Sequence, residues 1–505
     1  SNYTLTGGTH NFTINRRPVN IAATREYDGT SSMAAGTVTG ITNTVNSGSG
    51  TETLTMSSGS GTVSPTPNVA TYSGSDTSAG TFALGNGTNG GLAANYTTTG
   101  GAQTYIITQK VLGSSGSKTY DANTDAIAAN FTLSGIVSGQ TLNKSGTYTL
   151  SSPNAATYTI TNLESAISLS DGSGLASNYK LATGTHNFTV NKRVVNVSGT
   201  RLYNALNTAV ASDLSTMTNL VGSQTLVLSN SGTLANANVG SNKTVTIGSL
   251  SLANGSNGGL AANYTLTGGT HQLTVNQRPL NATLARQYDA TTTAAGSTLS
   301  SFNALQGGQT LSMSGSGTVA SKDVANGQSI TLGSLALVDG TGAASNYLLN
   351  SAALNITQRV LGFSGTRIYD GSTNASNSDL TLNNLVGSET LTLSGTGTLA
   401  NANVASNKSV TLNSLSISNG SGGGLASNYT LSGGTHQLTV SQRAVNVSGT
   451  RLYNALSTAV ASDLSTMTNL VGSETLVLSN SGTLANANVG SNKTVTIGSL
   501  SLANG

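Results

Sequence analysis

The sequence of 505 residues contains no cysteine, no tryptophan and only 5 prolines. Charge is equally scarce: 20 Lys plus Arg and 17 Asp plus Glu make 7% of the chain, against roughly 25% in an ordinary soluble domain. Each absence excludes something. Without Cys there is no disulfide scaffold, no thiolate metal site and no thiol catalysis. The net charge of +3 is spread thinly, with no basic run beyond Arg16-Arg17 or Lys192-Arg193. Phosphate binding needs clustered Lys and Arg, so no nucleic acid partner is expected. No apolar run approaches the ~20 residues of a spanning helix, so no membrane insertion is expected. Charge-driven disorder fails as well, because disordered chains carry high net charge and few β-branched residues. Ser1 brings neither an initiator Met nor a signal peptide, which reads as a mature product or a fragment.

What takes the place of charge is Ser, Thr, Asn and 62 Gly. These are arranged in a repeat. A Tyr followed by Asp or Asn recurs at Tyr27, Tyr120, Tyr203, Tyr288, Tyr369 and Tyr453, at intervals of 81 to 93 residues. An Asn followed by Tyr recurs at Tyr3, Tyr96, Tyr179, Tyr264, Tyr347 and Tyr429, at intervals of 82 to 93. A fixed period of this length signals an array of supersecondary units. Other residues keep step. A basic residue stands two before each first-type Tyr (Arg25, Lys118, Arg201, Arg286, Arg367, Arg451), and another marks each boundary (Arg17, Lys110, Arg193, Arg278, Arg359, Arg443). Glu or Gln before Thr recurs at Glu52, Gln140, Gln224, Gln309, Glu389 and Glu474. Residues 196–255 and 446–505 differ only at Asn207/Ser457 and Gln224/Glu474, a recent duplication.

The unit reads as all-β. Ile330 and Leu332 alternate, then Leu335 and Leu337 alternate one step out of phase, and the same slip follows Val245, Ile247 and Val410, Leu412. Alternation means strands with one buried face. A one-residue slip flips that face, so a bulge or tight corner is expected at each Gly-Ser or Asn-Ser. Asn204–Leu214 and its copy Asn454–Leu464 space their apolar residues closer to a helix, leaving a short helical turn open there. Turn clusters such as Asn254-Gly-Ser-Asn-Gly-Gly divide five to seven short strands per unit, the pattern of a β-sandwich. The expected architecture is a tandem array of sandwich-like repeats of about 84 residues forming an elongated rod or filament. A β-solenoid of ~20-residue coils is the alternative. The expected division is a final strand at 1–17, then repeats at 18–110, 111–193, 194–278, 279–359 and 360–443, then a sixth at 444–505 without its final strand.

Several motifs imitate sites. Gly-Thr-His recurs at His10, His186, His271 and His436, too far apart for a shared metal, and reads as strand-surface side chains. Asp121-Ala-Asn-Thr-Asp125 imitates the start of a calcium loop but lacks its later Gly and Glu, and reads as a polar loop. Arg286-Gln-Tyr288-Asp289 could cradle a sugar, but recurrence in every unit favours a structural corner with the ring in the core. Lys243 beside Asn242 lacks the buried acid that an amide crosslink needs. Thr-x-Thr runs such as Thr244-Val-Thr246 serve as strand formers on a wet face. No Ser-His-Asp set, carboxylate pair or phosphate loop emerges, so no enzyme, cofactor or metal is expected. The residues singled out are the structural anchors Tyr27, Tyr120, Tyr203, Tyr288, Tyr369, Tyr453, Tyr96, Tyr179, Tyr264, Tyr347 and Tyr429.

The succession Arg367-Ile-Tyr-Asp-Gly-Ser-Thr, Gly387-Ser-Glu-Thr-Leu, Ala400-Asn-Ala-Asn-Val, Ser427-Asn-Tyr-Thr-Leu and Gln442-Arg443 resembles the YDG-type, "mostly beta, glycine-rich" repeats of large bacterial surface adhesins. The resemblance runs through the whole chain. Asn204 and Asn454 depart from it by replacing the Asp, and the first unit is longer around Pro65-Thr-Pro67. It implies an extracellular, cell-surface stalk or fibre, as in filamentous-haemagglutinin-like proteins exported by the two-partner route. A multivalent module for glycan, matrix or ice is the second expectation, with surface or matrix polysaccharide as partner. Self-association is a third. Two readings of residues 1–17 stay open: a window of a longer array, or a strand that completes the sixth unit of a neighbouring subunit, as in donor-strand addition. With so few carboxylates to titrate, stability and assembly should change little between about pH 4 and 9, or with salt.

Overall fold

The structure is a computed structural model that describes residues 2–505; Ser1 of the 1–17 segment lies outside the described residues. Its regular structure is nearly all strand, and it is divided into two compact units. The first holds the residues up to Arg201 with Leu206–Asn236 and Gly240–Thr274; the second holds Leu202–Ala205, Ala237–Val239 and Val275–Gly505.

One repeat in the second unit serves for the rest. Its strands are β1 (Arg278–Gln287), β2 (Thr293–Ala295), β3 (Leu299–Phe302), β4 (Leu311–Ser314), β5 (Ser316–Thr318), β6 (Ala325–Ser329), β7 (Ala336–Asp339) and β8 (Tyr347–Thr357). β1 and β8, the first and last strands, lie side by side in parallel, from Arg278 opposite Tyr347 to Gln287 opposite Thr357. β3 flanks β1 and β6 flanks β8, both antiparallel. This four-stranded sheet faces two ribbons, β2–β5 and β4–β7. Leu284, Leu354 and Ile356 of the sheet share one apolar core with Met313 and Leu335 from the ribbon side. The repeat is thus two-layered, and no coil of ~20 residues stacks on another as a solenoid would require.

The alternation of β1 makes the pattern. Leu280, Ala282 and Leu284 are buried, while Pro279, Asn281 and Ala285 face water. Burying such a face stabilises the fold by about 1.5–3 kcal/mol per large apolar side chain. The register shift at Leu280/Asn281 re-aims β8 so that Ala352, Leu354 and Ile356 point to the same core.

The expected corners are present. Gly248, Gly333 and Asn413 take φ of 57°, 54° and 46°, and each turn closes from Leu250, Leu335 or Leu415 N–H to the Ile247, Leu332 or Leu412 carbonyl. The helical turn left open at Asn204–Leu214 is a 3-10 turn, Ala211–Asp213, repeated at Ala461–Asp463. It recurs in every repeat, as at Gly296–Thr298 and Asn377–Asp379. A second series of 3-10 turns, such as Ala261–Asn263 and Ala426–Asn428, delivers five of the six Asn-Tyr pairs into their strands. In the Tyr-Asp-Gly corner the third residue is left-handed throughout: Gly29 at φ 78°, Gly371 at 72°, but also Ala122, Ala205, Ala290 and Ala455 at 61–63°. Glycine is favoured there because it alone carries no Cβ penalty.

Candidate functional site

The recurring residues converge at one place, the joint where a repeat meets the next. Inside the first unit, Tyr27 lies edge-on against Tyr179, 5.4 Å between ring centres at 80°. Tyr120 meets Tyr264 at 5.4 Å and 77°. In the second unit Tyr203 meets Tyr347 at 5.2 Å, and Tyr288 meets Tyr429 at 5.3 Å. Edge-to-face packing is the favoured aromatic geometry, worth about 0.5–1.5 kcal/mol beyond burial. Each pair joins one Tyr-Asp corner to one Asn-Tyr strand of the following repeat.

A Gln or Glu holds each pair. Gln224 Nε2 donates to the Tyr120 hydroxyl at 3.0 Å, and the Tyr264 hydroxyl donates to Gln224 Oε1 at 2.5 Å. Gln140 and Gln309 do the same for Tyr27/Tyr179 and Tyr203/Tyr347. Where Glu389 stands, both hydroxyls donate: Tyr288 to Oε1 and Tyr429 to Oε2, each at 2.6 Å. A phenol donates or accepts by turning its O–H, so amide and carboxylate fit one geometry. The Asn-Tyr hydroxyl also accepts a loop N–H, from Val221 to Tyr264 at 3.1 Å and from Val386 to Tyr429 at 3.1 Å.

Glu389 is the charged variant of this joint. It is buried, and Lys322 Nζ reaches Oε1 at 3.1 Å while lying 5.9 Å from the Tyr288 ring centre. Burial pushes the Glu389 carboxyl up, but the Tyr288 and Tyr429 hydroxyls and the Lys322 ammonium outweigh it and hold it below the ordinary value. Tyr429 is pushed up to about 12, by burial first and by Glu389 second.

Beside the tyrosines, the Asn of four Asn-Tyr pairs (Asn178, Asn263, Asn346 and Asn428) is a buried clasp. Asn263 Oδ1 accepts from Ala155 N at 2.8 Å and its Nδ2 donates to Asn154 Oδ1 at 2.9 Å. Asn178, Asn346 and Asn428 make the same two bonds to Asn68-Val69, Asn238-Val239 and Asp323-Val324. The boundary Arg completes the joint: Arg193 and Arg359 grip the left-handed Asn219 and Asn384 and reach the carbonyls of Tyr120 and Tyr288.

The other motifs settle locally. The basic residue before each corner caps its loop. Lys118 Nζ donates to Asp121 Oδ1 at 2.9 Å and to the Asn123 and Asp125 carbonyls. In the calcium-like loop an ammonium therefore sits among the oxygens. Arg286 and Arg367 donate to the loop carbonyls of Thr291 and Ser372 in the same way. The histidines depart from expectation. His186 and His271 are buried rather than on a strand surface, because Nε2 bonds the Ala182 or Leu266 carbonyl and seats the ring in the core. His436 stacks on Phe363 at 4.4 Å. Among the described residues no group of three or more His, Asp or Glu could hold a metal.

Of the predicted anchors, Tyr27, Tyr120, Tyr203, Tyr288, Tyr96, Tyr179, Tyr264, Tyr347 and Tyr429 are buried. Tyr369 is half-buried with its hydroxyl on Glu474. Tyr453 departs from the core position expected of it: no Gln or Glu loop covers it and it is exposed. The Asn clasp and the bridging role of Gln and Glu were not among the sequence-based expectations. The signal was present, since both recur at the period of the tyrosines.

A YDG domain model matches residues 189–274, 270–354, 352–438 and 434–505. The chain belongs to the YDG domain family. Each matched YDG domain starts within, or one to three residues before, the strand that closes the preceding repeat. No curated protein sequence matches the chain.

Proposed function

We propose that this chain is the load-carrying stalk or fibre segment of an extracellular bacterial surface adhesin, and that it acts mechanically rather than as an enzyme. The observation that carries the reading is the joint. The Tyr of each Tyr-Asp or Tyr-Asn corner is fully buried only where the next repeat supplies its Tyr and its Gln or Glu. Neighbouring YDG domains are then docked through apolar rings and satisfied polar groups, with little left to swing. Membership of a tandem-repeat family supports a repeat-built surface protein, and the scarcity of titratable groups suits an uncontrolled exterior. No helix among the described residues is long and apolar enough to cross a membrane.

The glycan-binding reading is the weaker one. Sugar sites stack rings on exposed aromatics, and here eight of the recurring tyrosines are spent inside joints. Pulling single chains by their ends tests the proposal. The expected trace shows successive unfolding events, each releasing one repeat of about 84 residues at up to ~3.6 Å per residue. Saturable binding of the purified chain to glycans, with unfolding at trivial force, would favour the adhesive module instead.

A further inference from the structure

Cys and Trp, which share with Tyr a readiness to give up one electron, are both absent, so a one-electron oxidation of this chain ends on its 16 Tyr. The 5 Met react differently, by taking up oxygen. Eight of the tyrosines stand in pairs. Tyr27/Tyr179, Tyr120/Tyr264, Tyr203/Tyr347 and Tyr288/Tyr429 have ring centres 5.2–5.4 Å apart at 76–80°. The edge of one ring therefore touches the face of the other, at roughly 3.5–4 Å between carbons. All eight rings are buried, so packing fixes their places. Both hydroxyls of a pair converge on one Gln or Glu. The carbons ortho to those hydroxyls, where a phenoxyl radical concentrates its unpaired spin, thus lie at the same end of the pair.

We propose that the joints are sites of oxidative phenol coupling, which turns the two tyrosines of a pair into one dityrosine bridge between neighbouring repeats, and that Glu389 makes Tyr288/Tyr429 the fastest of the four. Each phenol loses one electron to a one-electron oxidant, such as an excited metal complex or the ferryl haem of a peroxidase, and one proton to its hydrogen-bond acceptor. The two phenoxyl radicals join through one C–C bond between ortho carbons. The two ortho hydrogens then move to the oxygens and restore both hydroxyls. In all, the pair gives up two electrons and two protons, which reduce one peroxide to two waters.

The four joints differ in the base they offer. Tyr429 is pushed up to about 12, by burial first and by Glu389 second, so it keeps its proton at neutral pH. Electron and proton must then leave together, and the acceptor within reach sets the rate. Glu389 is a carboxylate accepting from both hydroxyls at 2.6 Å. Gln224 is a neutral amide, a far weaker base, and accepts from Tyr264 while donating to Tyr120. The spans 27–179, 120–264, 203–347 and 288–429 overlap, so four bridges would close interlocking loops and restrict the unfolded chain, as other long-loop crosslinks do. The inference rests on the geometry of the joints and stands apart from the stalk reading.

Brief illumination of the 505-residue chain with ruthenium trisbipyridyl and persulfate, then digestion and mass spectrometry, tests it. Four linked peptide pairs are expected, each two hydrogens lighter than its parts, with Tyr288–Tyr429 appearing first. Their yield should hold through a ~10-fold dilution, since the partners are tethered in one chain. Glu389→Gln, which installs the residue that three other joints already carry, should slow the Tyr288–Tyr429 link at least ~10-fold and leave the others unchanged. Tyr264→Phe, which keeps the ring and removes the phenol, should erase the Tyr120–Tyr264 link alone. Half-exposed Tyr148 and Tyr158 belong to none of the pairs and are easier to reach. Links that favour these two, that scatter among all tyrosines or that fade on dilution overturn the proposal. So does oxidation of the chain without any linked pair, or an unaltered Tyr288–Tyr429 rate in Glu389→Gln.

Discussion

Residues 196–255 and 446–505 are almost one sequence in two situations. In the first, Val195, Val197, Tyr203, Val245 and Leu250 are buried, and a strand runs from Asn196 to Leu202. In the second, Val445, Val447, Val495 and Leu500 are half-exposed, Tyr453 is exposed, and the strand stops at Ser448. The difference is the closing strand, His271–Asn276, and the joint that follows it. A YDG repeat is therefore not specified by its own sixty residues. Its core is finished by its last strand and its Tyr-Asp corner by the next repeat.

The comparison breaks most readily at that strand. Leu273→Ala should destabilise the third repeat by about 2–5 kcal/mol, the usual cost of a fully buried leucine, and should expose Val197 and Val245 as their copies are exposed. Local amide exchange over 196–202 reads this out. Next comes the clasp. Asn263→Ala strands the Ala155 N–H and should cost about 1–3 kcal/mol, whereas Asn95→Ala, at an exposed counterpart, should leave the denaturation midpoint unchanged. A paired substitution sharpens the contrast further: Val197→Ala should cost about 1.5 kcal/mol for its lost methyl groups, and Val447→Ala less than about 0.5.

The smallest effect separates the two kinds of joint. Because Glu389 is held below its ordinary value in the fold, its contribution is present above the ordinary glutamate range and fades as pH falls through the depressed value. Gln224 and Gln309 have no such acid limb. At the alkaline end Tyr429, raised from 10.0 to about 12, contributes fully below 10 and loses its contribution as pH climbs toward 12. Glu389→Gln should shift stability by about 1 kcal/mol or less at neutral pH and remove the acid dependence of that joint. Acid titration followed by tyrosine fluorescence checks it.

Much of this was legible in the residues. Period, strand content, corners and the two tyrosine series follow from spacing and alternation, since side-chain direction has period two. The parallel pairing of first and last strands was not legible, because alternation looks the same whichever way a neighbour runs. Nor was the Tyr120–Gln224–Tyr264 bridge. Its members stand 104 and 40 residues apart, and equal spacing shows that residues recur without showing that one repeat's Tyr touches the next repeat's Gln. The histidines were misplaced for a related reason: what buries His271 is the Leu266 carbonyl across a Gly-Gly turn, which no local polarity scale registers.

The most direct measurement is amide exchange on the two copies within one chain. Peptides spanning 195–207 and 445–457 differ in mass through Asn207 and Ser457, so each can be followed in the same sample. Strong protection is expected for the first and near-unfolded rates for the second in dilute solution. Equal protection of both would contradict it, for the sixty shared residues would then suffice to build the repeat.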